Sequence, residues 1–293
     1  MSLGESPIPT DSEFLDPALR QQVAQTRRGP RGSNAAVLEN PIEPIRASGL
    51  NAALVPLNSR RIQTPPATPN PATALRIGAF IFDVDGVLAD TAERHTDAWR
   101  RLAFEENLDF DERIADGLRG VSRAASLRLL LGERDIPAET FAEFMERKNR
   151  YFIASLDSLS PSDVLPGVSR IMTGLSRMGV KIAAASASKN ARLVLDRIGL
   201  SERFDAIVDG NEVGRPKPEP DLFLRAAARL RLRPESCVVV EDAAAGISAA
   251  RAAGMRSIGL GDADRLCAAT VVLPTFGEID VDGLLEMLAD RGH

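Results

Sequence analysis

Cysteine and aromatic residues are scarce in this chain of 293 residues, which has two cysteines, one tryptophan, one tyrosine and 4% aromatics in all. Cys237 and Cys267 are too few for a disulfide framework and have no metal-ligand spacing. Both read as packing residues, Cys237 in an apolar run and Cys267 in a helix. No window approaches the roughly 18 unbroken apolar residues of a membrane span, and the opening MSLGESPIPTDSEF lacks the basic-then-apolar order of a signal peptide. The chain is therefore expected in the cytoplasm, away from membranes. Positive charge is not in excess either. A net charge of -5 argues against a nucleic-acid or anionic-lipid partner, which a concentrated basic face would attract. What is present is 44% apolar content, enough for one or two cores built from Ala, Leu, Val and Ile.

The chain changes character near residue 75. Residues 1–75 hold eleven of the 19 prolines and show no sustained period, which reads as a disordered or loosely attached tail. From residue 76 onward short apolar runs (IGAFIF, VKIAAAS, DAIVDG, SCVVVED, RSIGLG, TVVL) alternate with helical patterns. That alternation predicts a parallel sheet covered on both faces. Between the first and second strands, residues 92–164 read as helix after helix, whereas a crossover needs only about 10 to 12 residues. The expected architecture is a doubly wound α/β core (76–91 with 165–293) carrying an inserted helical cap (92–164).

In open α/β sheets ligands bind beyond the carboxyl ends of the strands, and four groups of polar residues fall there. Asp83 and Asp85 follow the first strand, Ser186 to Asn190 (SASKN) the second, Lys217 the third, and Glu241 with Asp242 close SCVVVED. Each has a bland reading. DxDG alone is a common polar turn, and its aspartates do not make an EF-hand, because Val87 occupies a ligand position and a strand precedes the loop. SASKN could cap a helix, or its strand-to-helix turn could cradle an anion. Lys217 could be solvated, but in RPKPEP it is fixed between two prolines. Placement of all four on one edge favours function: acids from two strand ends and a lysine from a third resemble a magnesium site that handles phosphate. Close carboxylates such as Asp83 and Asp85 need a cation, a proton or a hydrogen-bond network.

These motifs resemble those of the haloacid dehalogenase superfamily over about residues 76 to 290. In the insert ERHTDAW, LRGVSRAASL and ERKNRY, taken with SASKN, resemble the β-phosphoglucomutase family within it, which has a helical cap between the first two strands. The resemblance implies that Asp83 is a nucleophile that becomes an aspartyl phosphate and Asp85 a general acid and base. Mg2+ would be held by Asp83, the backbone carbonyl of Asp85, Asp242 and Glu241, so that the metal neutralises one acid while the other carries the proton. Ser186, Ala187 and Lys217 would hold the transferring phosphate. Arg123 would grip the distal phosphate through its fork, with Lys148, Ser188, Lys189 and Asn190 as further contacts. His95 shares a helical stripe with Trp99; an isolated histidine there could merely edge the cap core, but it stands where the family's hinge-side histidine does. Arg119 stands where some relatives have lysine, keeping the charge but not its geometry.

The function implied is a phosphomutase interconverting β-glucose 1-phosphate and glucose 6-phosphate through β-glucose 1,6-bisphosphate, acting as a monomer on a small-molecule sugar phosphate. The alternative on the same fold is a sugar-phosphate or phosphoglycolate-type phosphatase, in which water takes the phosphate from Asp83. A non-catalytic binding protein would have been favoured by loss of Asp83, Asp85 or Lys217, and all three are present.

Overall fold

The run AFIF contains no polar residue because both of its faces are covered. It forms β1 (Ala79–Phe82), wholly buried in the middle of a six-stranded sheet. The computed structural model describes residues 77–290, and the Pro-rich stretch read as a tail lies outside the described residues. Between β1 and β2 (Lys181–Ala185) come α1 (Ala92–Glu105), α2 (Glu112–Gly117), α3 (Arg123–Leu131), α4 (Ala138–Ser155) and α5 (Val168–Arg177). Then follow α6 (Ala191–Arg197), β3 (Ala206–Val208), α7 (Asp221–Leu230), β4 (Cys237–Glu241), α8 (Ala244–Ala252), β5 (Arg256–Leu260), β6 (Val271–Leu273) and α9 (Val281–Asp290).

All pairings are parallel, in the order β3-β2-β1-β4-β5-β6. The chain thus winds outward from β1 to β3, then returns to lay β4 on the other side of β1. The winding reverses between β1 and β4, and such a reversal opens a crevice at the carboxyl ends of the strands. Successive strand residues face opposite ways. Phe80, Phe82, Val238 and Val240 pack with Ile171, Val194 and Leu284, whereas Ile81 and Val239 pack with Phe223, Ala226 and Ala249. This is the doubly wound α/β core expected from the alternation of runs.

The insert has an apolar cluster of its own, built from Trp99, Leu102 and Ala103 of α1 with Leu118, Leu127, Leu130 and Phe144. Trp99, Leu102 and Ala103 share one helical face by their spacing. Cys237 is buried in β4, as a packing residue should be, but Cys267 is exposed. The expectation of a helix at Cys267 is corrected: the short stretch between β5 and β6 closes as successive turns and has no room for a covering helix. Among the described residues no helix is long and apolar enough to cross a membrane.

Candidate active site

Asp83 directly follows β1 and is buried, and the chain then turns at Gly86, whose φ of 83° favours glycine. A Cβ there would also lie 2.4 Å from Asp242 Oδ2. The DxDG turn therefore presses the β1 loop against the acidic end of β4. Lys217 reaches in from the loop between β3 and α7, its side chain fully buried. Its Nζ donates to Asp83 Oδ1 at 2.7 Å and to Glu241 Oε1. Burial opposes the ammonium charge, but Asp83 and Glu241 overcome it and raise the pKa. Glu241 is held from behind as well, where Ala243 N donates to its Oε2 at 3.0 Å.

Asp83, Glu241 and Asp242 are all buried, with one oxygen from each lying within 4.8 Å of the others. Burial and the neighbouring carboxylates push the pKa of Asp83 well up against the pull of Lys217. Burial, and then Glu241, raise Asp242 to about 7, and its nearest cation, Arg119 Nη1, is 3.7 Å away. Three buried carboxylates facing Lys217, with Arg119 at 3.7 Å from Asp242, outnumber these cations. An all-oxygen donor set of this kind suits a hard divalent cation.

Asp85 lies in a different environment. Oδ1 accepts from Thr91 Oγ1 at 2.6 Å, and Oδ2 from Ser186 Oγ at 3.3 Å. Burial would raise this carboxyl, but His95 and the two hydroxyls outweigh it and hold it at about 2. Thr91 is the N-cap residue of α1, yet its side chain does not cap the helix. The cap, worth about 1 kcal/mol, gives way to the site.

His95 Nε2 lies 3.5 Å from Asp85 Oδ1, while Nδ1 meets Lys148 Nζ at 2.6 Å. Burial and the Lys148 charge lower the ring to about 4, so at neutral pH it stands beside Asp85 uncharged, and its buried Nε2 makes no hydrogen bond. The ring stacks on Phe152, with centroids 3.6 Å apart. Lys148 lies over Trp99 and Phe152, and burial followed by Arg123 lowers its pKa to about 7. Arg123 opens α3 behind the N-cap Ser122, whose side chain accepts from Ala125 N. Its Nη2 donates to Asn149 Oδ1 at 2.7 Å, and no carboxylate lies against it among the described residues.

A cavity of about 440 Å³ joins the core to the insert. Asp83, Asp85, Ser186, Ala187, Ser188, Lys189, Lys217 and Asp242 line it from the strand ends, and His95, Trp99, Arg119, Arg123 and Lys148 from the insert. Glu241 and Asn190, also singled out in the sequence, stand behind the wall rather than in it. Arg119 leans toward Asp242 and Glu93, at the acidic end of the cavity. In SASKN two backbone donors are already taken, since Ser186 Oγ accepts from Ser188 N at 3.0 Å and Ser188 Oγ from Asn190 N at 3.2 Å. Sequence reasoning did not single out Thr91, Asn149 or Ser126, the last a buried residue of the cavity wall. Asn149 did lie inside ERKNRY and Ser126 inside LRGVSRAASL, one helical turn after Arg123, while Thr91 lies six residues after Asp85 of the DxDG turn.

Residues 77–254 match the haloacid dehalogenase-like hydrolase family. The chain is 39% identical over 212 residues to a β-phosphoglucomutase of Bacillus subtilis, covering 71% of this chain and 94% of that one. It is 35% identical over 185 residues to a fructose-1-phosphate phosphatase of Escherichia coli, covering 62% of this chain and 96% of the relative. The crystal structure of a β-phosphoglucomutase from Clostridium difficile superposes with a TM-score of 0.70 at 36% identity, covering 73% of this chain and 98% of that one. The family match spans β1 to β4 with every loop that carries the residues above, and the chain belongs to the haloacid dehalogenase-like hydrolases.

Proposed function

We propose that this chain is a phosphomutase that interconverts β-glucose 1-phosphate and glucose 6-phosphate through a phosphorylated Asp83 and β-glucose 1,6-bisphosphate, with 92–164 acting as a cap. The observation that carries this reading is a cavity with cations at both ends. Lys217 stands beside Asp83 at the sheet, and Arg123 stands in the insert with no carboxylate partner among the described residues. Hydrolysis of a monophosphate needs only the first end. A bisphosphate that must present each end to Asp83 in turn needs both.

Asp85 is ionised at neutral pH, which suits it to act first as a base. With Asp83 phosphorylated, Asp85 takes the proton of the sugar 6-hydroxyl as that oxygen attacks phosphorus and the bond to Asp83 breaks. After the bisphosphate turns over, Asp83 attacks the phosphorus at C1, and the departing sugar oxygen takes the proton back from Asp85. Ser186 and Lys217 hold the phosphoryl oxygens during both transfers. Magnesium, when held by Asp83, the backbone carbonyl of Asp85 and Asp242 with Glu241 behind them, would offset charge on the transferring group. The second reading, a sugar-phosphate phosphatase, is favoured by the similarity to the Escherichia coli fructose-1-phosphate phosphatase.

The test is product identity. With magnesium, a trace of glucose 1,6-bisphosphate and β-glucose 1-phosphate, glucose 6-phosphate should form much faster than free phosphate. Free phosphate as the main product would overturn the mutase reading. Asp83→Asn should abolish transfer of either kind.

A further inference from the structure

Asn149 Oδ1 accepts two hydrogen bonds that originate on opposite sides of the cavity. Arg123 Nη2, from α3 of the insert, donates at 2.7 Å, and Asn190 Nδ2, from the loop after β2, at 2.8 Å. Arg123 has only donors, so the atom it faces must be the amide oxygen, which fixes the orientation of the Asn149 side chain. All three residues are half-buried. Of the three, Arg123 alone lines the cavity. Asn149 therefore stands behind the guanidinium, holding one nitrogen and leaving the other N–H groups to the cavity.

The choice of an amide at this position has a consequence. Burial already disfavours the charged form of Arg123, and a carboxylate here would have relieved that penalty. It would also have neutralised the one guanidinium at this end of the cavity and placed a negative charge beside any incoming anion. An amide orients Arg123 without consuming its charge. Asn149 also follows Lys148, the partner of His95, so neighbouring residues of α4 hold the anion end and the acid-base end of the cavity.

We propose that Asn149 is a positioning residue: it aims Arg123 at the distal phosphate of the substrate and ties that aim to the core through Asn190. This rests on the reading of Arg123 as the distal clamp. Asn149 touches no substrate; it acts through Arg123.

The experiment compares Asn149→Ala and Asn149→Asp with the unmutated chain, measuring KM and kcat for β-glucose 1-phosphate, glucose 6-phosphate binding by calorimetry, and melting temperature. Loss of one charge-assisted hydrogen bond should raise KM about tenfold in Asn149→Ala, more than it lowers kcat. Asn149→Asp keeps the acceptor and the shape, so its melting temperature should match or exceed that of the unmutated chain. Its KM should nevertheless rise further, to about a hundredfold, because a carboxylate pairs with Arg123 and repels phosphate. A purely structural role predicts the reverse, with Asp restoring what Ala loses. Restored KM and glucose 6-phosphate affinity in Asn149→Asp would overturn the proposal, as would unchanged KM in both variants or loss of the folded state in both. The mutase reading is judged separately, on the products of the unmutated chain, so either can fail alone.

Discussion

Lys148 and His95 meet at 2.6 Å in the insert, ammonium to ring nitrogen, and the fold opposes a positive charge on each of them. For Lys148 the cause is burial, then Arg123, and the result is a pKa of about 7. An unfolded lysine titrates near 10.4, so between roughly pH 7 and 10 the unfolded chain holds a proton that the folded chain has released. Stability from this group therefore rises with pH across that window, and the burial penalty is complete below it. Lys148→Met, of similar length and apolar, removes the penalty. Its melting temperature should exceed that of the unmutated chain by a few degrees near pH 6, and the gap should close towards pH 10. A gap independent of pH would show that the ammonium is not the source.

Thr91 gives up its helix cap to donate to Asp85. Thr91→Val keeps the branched shape but leaves a half-buried carboxylate oxygen without its shortest donor, a loss of about 1–2 kcal/mol. If Asp85 is the acid and base, kcat should fall at least about tenfold, while the melting temperature should fall by roughly the 2–4 °C per kcal/mol expected for a chain of this size. Steady-state kinetics beside a thermal melt would decide, and an unchanged kcat would remove Thr91 from the site.

Gly246 lies in α8, directly under the acidic end of β4. A Cβ there would stand 1.8 Å from Glu241 Oε1, an atom already in contact with buried Lys217. Gly246→Ala should therefore displace Glu241 and loosen Lys217, despite a gain in helix propensity of about 1 kcal/mol. The expected outcome is a net loss of about 1–3 kcal/mol from overpacking, with phosphoryl transfer strongly reduced. Denaturant unfolding and turnover would measure the two effects; a stabilised, active variant would show that the contact relaxes freely.

The sheet and its carboxyl edge were legible in the sequence because both rest on local pattern. Runs such as AFIF and CVVV are apolar throughout where both faces are covered, and Asp83, Ser186, Lys217 and Asp242 each follow a strand that Glu241 or an apolar residue closes. Asn149 was not legible as a site residue because its role arises where separate helices meet, and Thr91 was not because its hydroxyl turns from the helix it would cap to Asp85. The Asn149 oxygen joins residues 26 and 41 positions away, and no helical period marks it. Cys267 was misread for a related reason: a helix-compatible composition cannot report the shortness of the gap between two strands.

The partition between mutase and hydrolase should depend on Arg123. Water can attack a phosphorylated Asp83 without any contact at the far end of the cavity, whereas a sugar phosphate must be held there while its hydroxyl is aligned with phosphorus. Arg123→Ala should thus depress glucose 6-phosphate formation about a hundredfold or more, and residual phosphate release much less, because orientation is lost only for the sugar. Arg123→Lys should fall between, since a point charge attracts the distal phosphate but lacks the fork that orients it. The measurement is the ratio of glucose 6-phosphate to free phosphate from β-glucose 1-phosphate, at one magnesium concentration, for the three proteins. If that ratio is the same in all three, Arg123 does not select sugar over water, and the two-ended cavity is not what would make this chain a mutase.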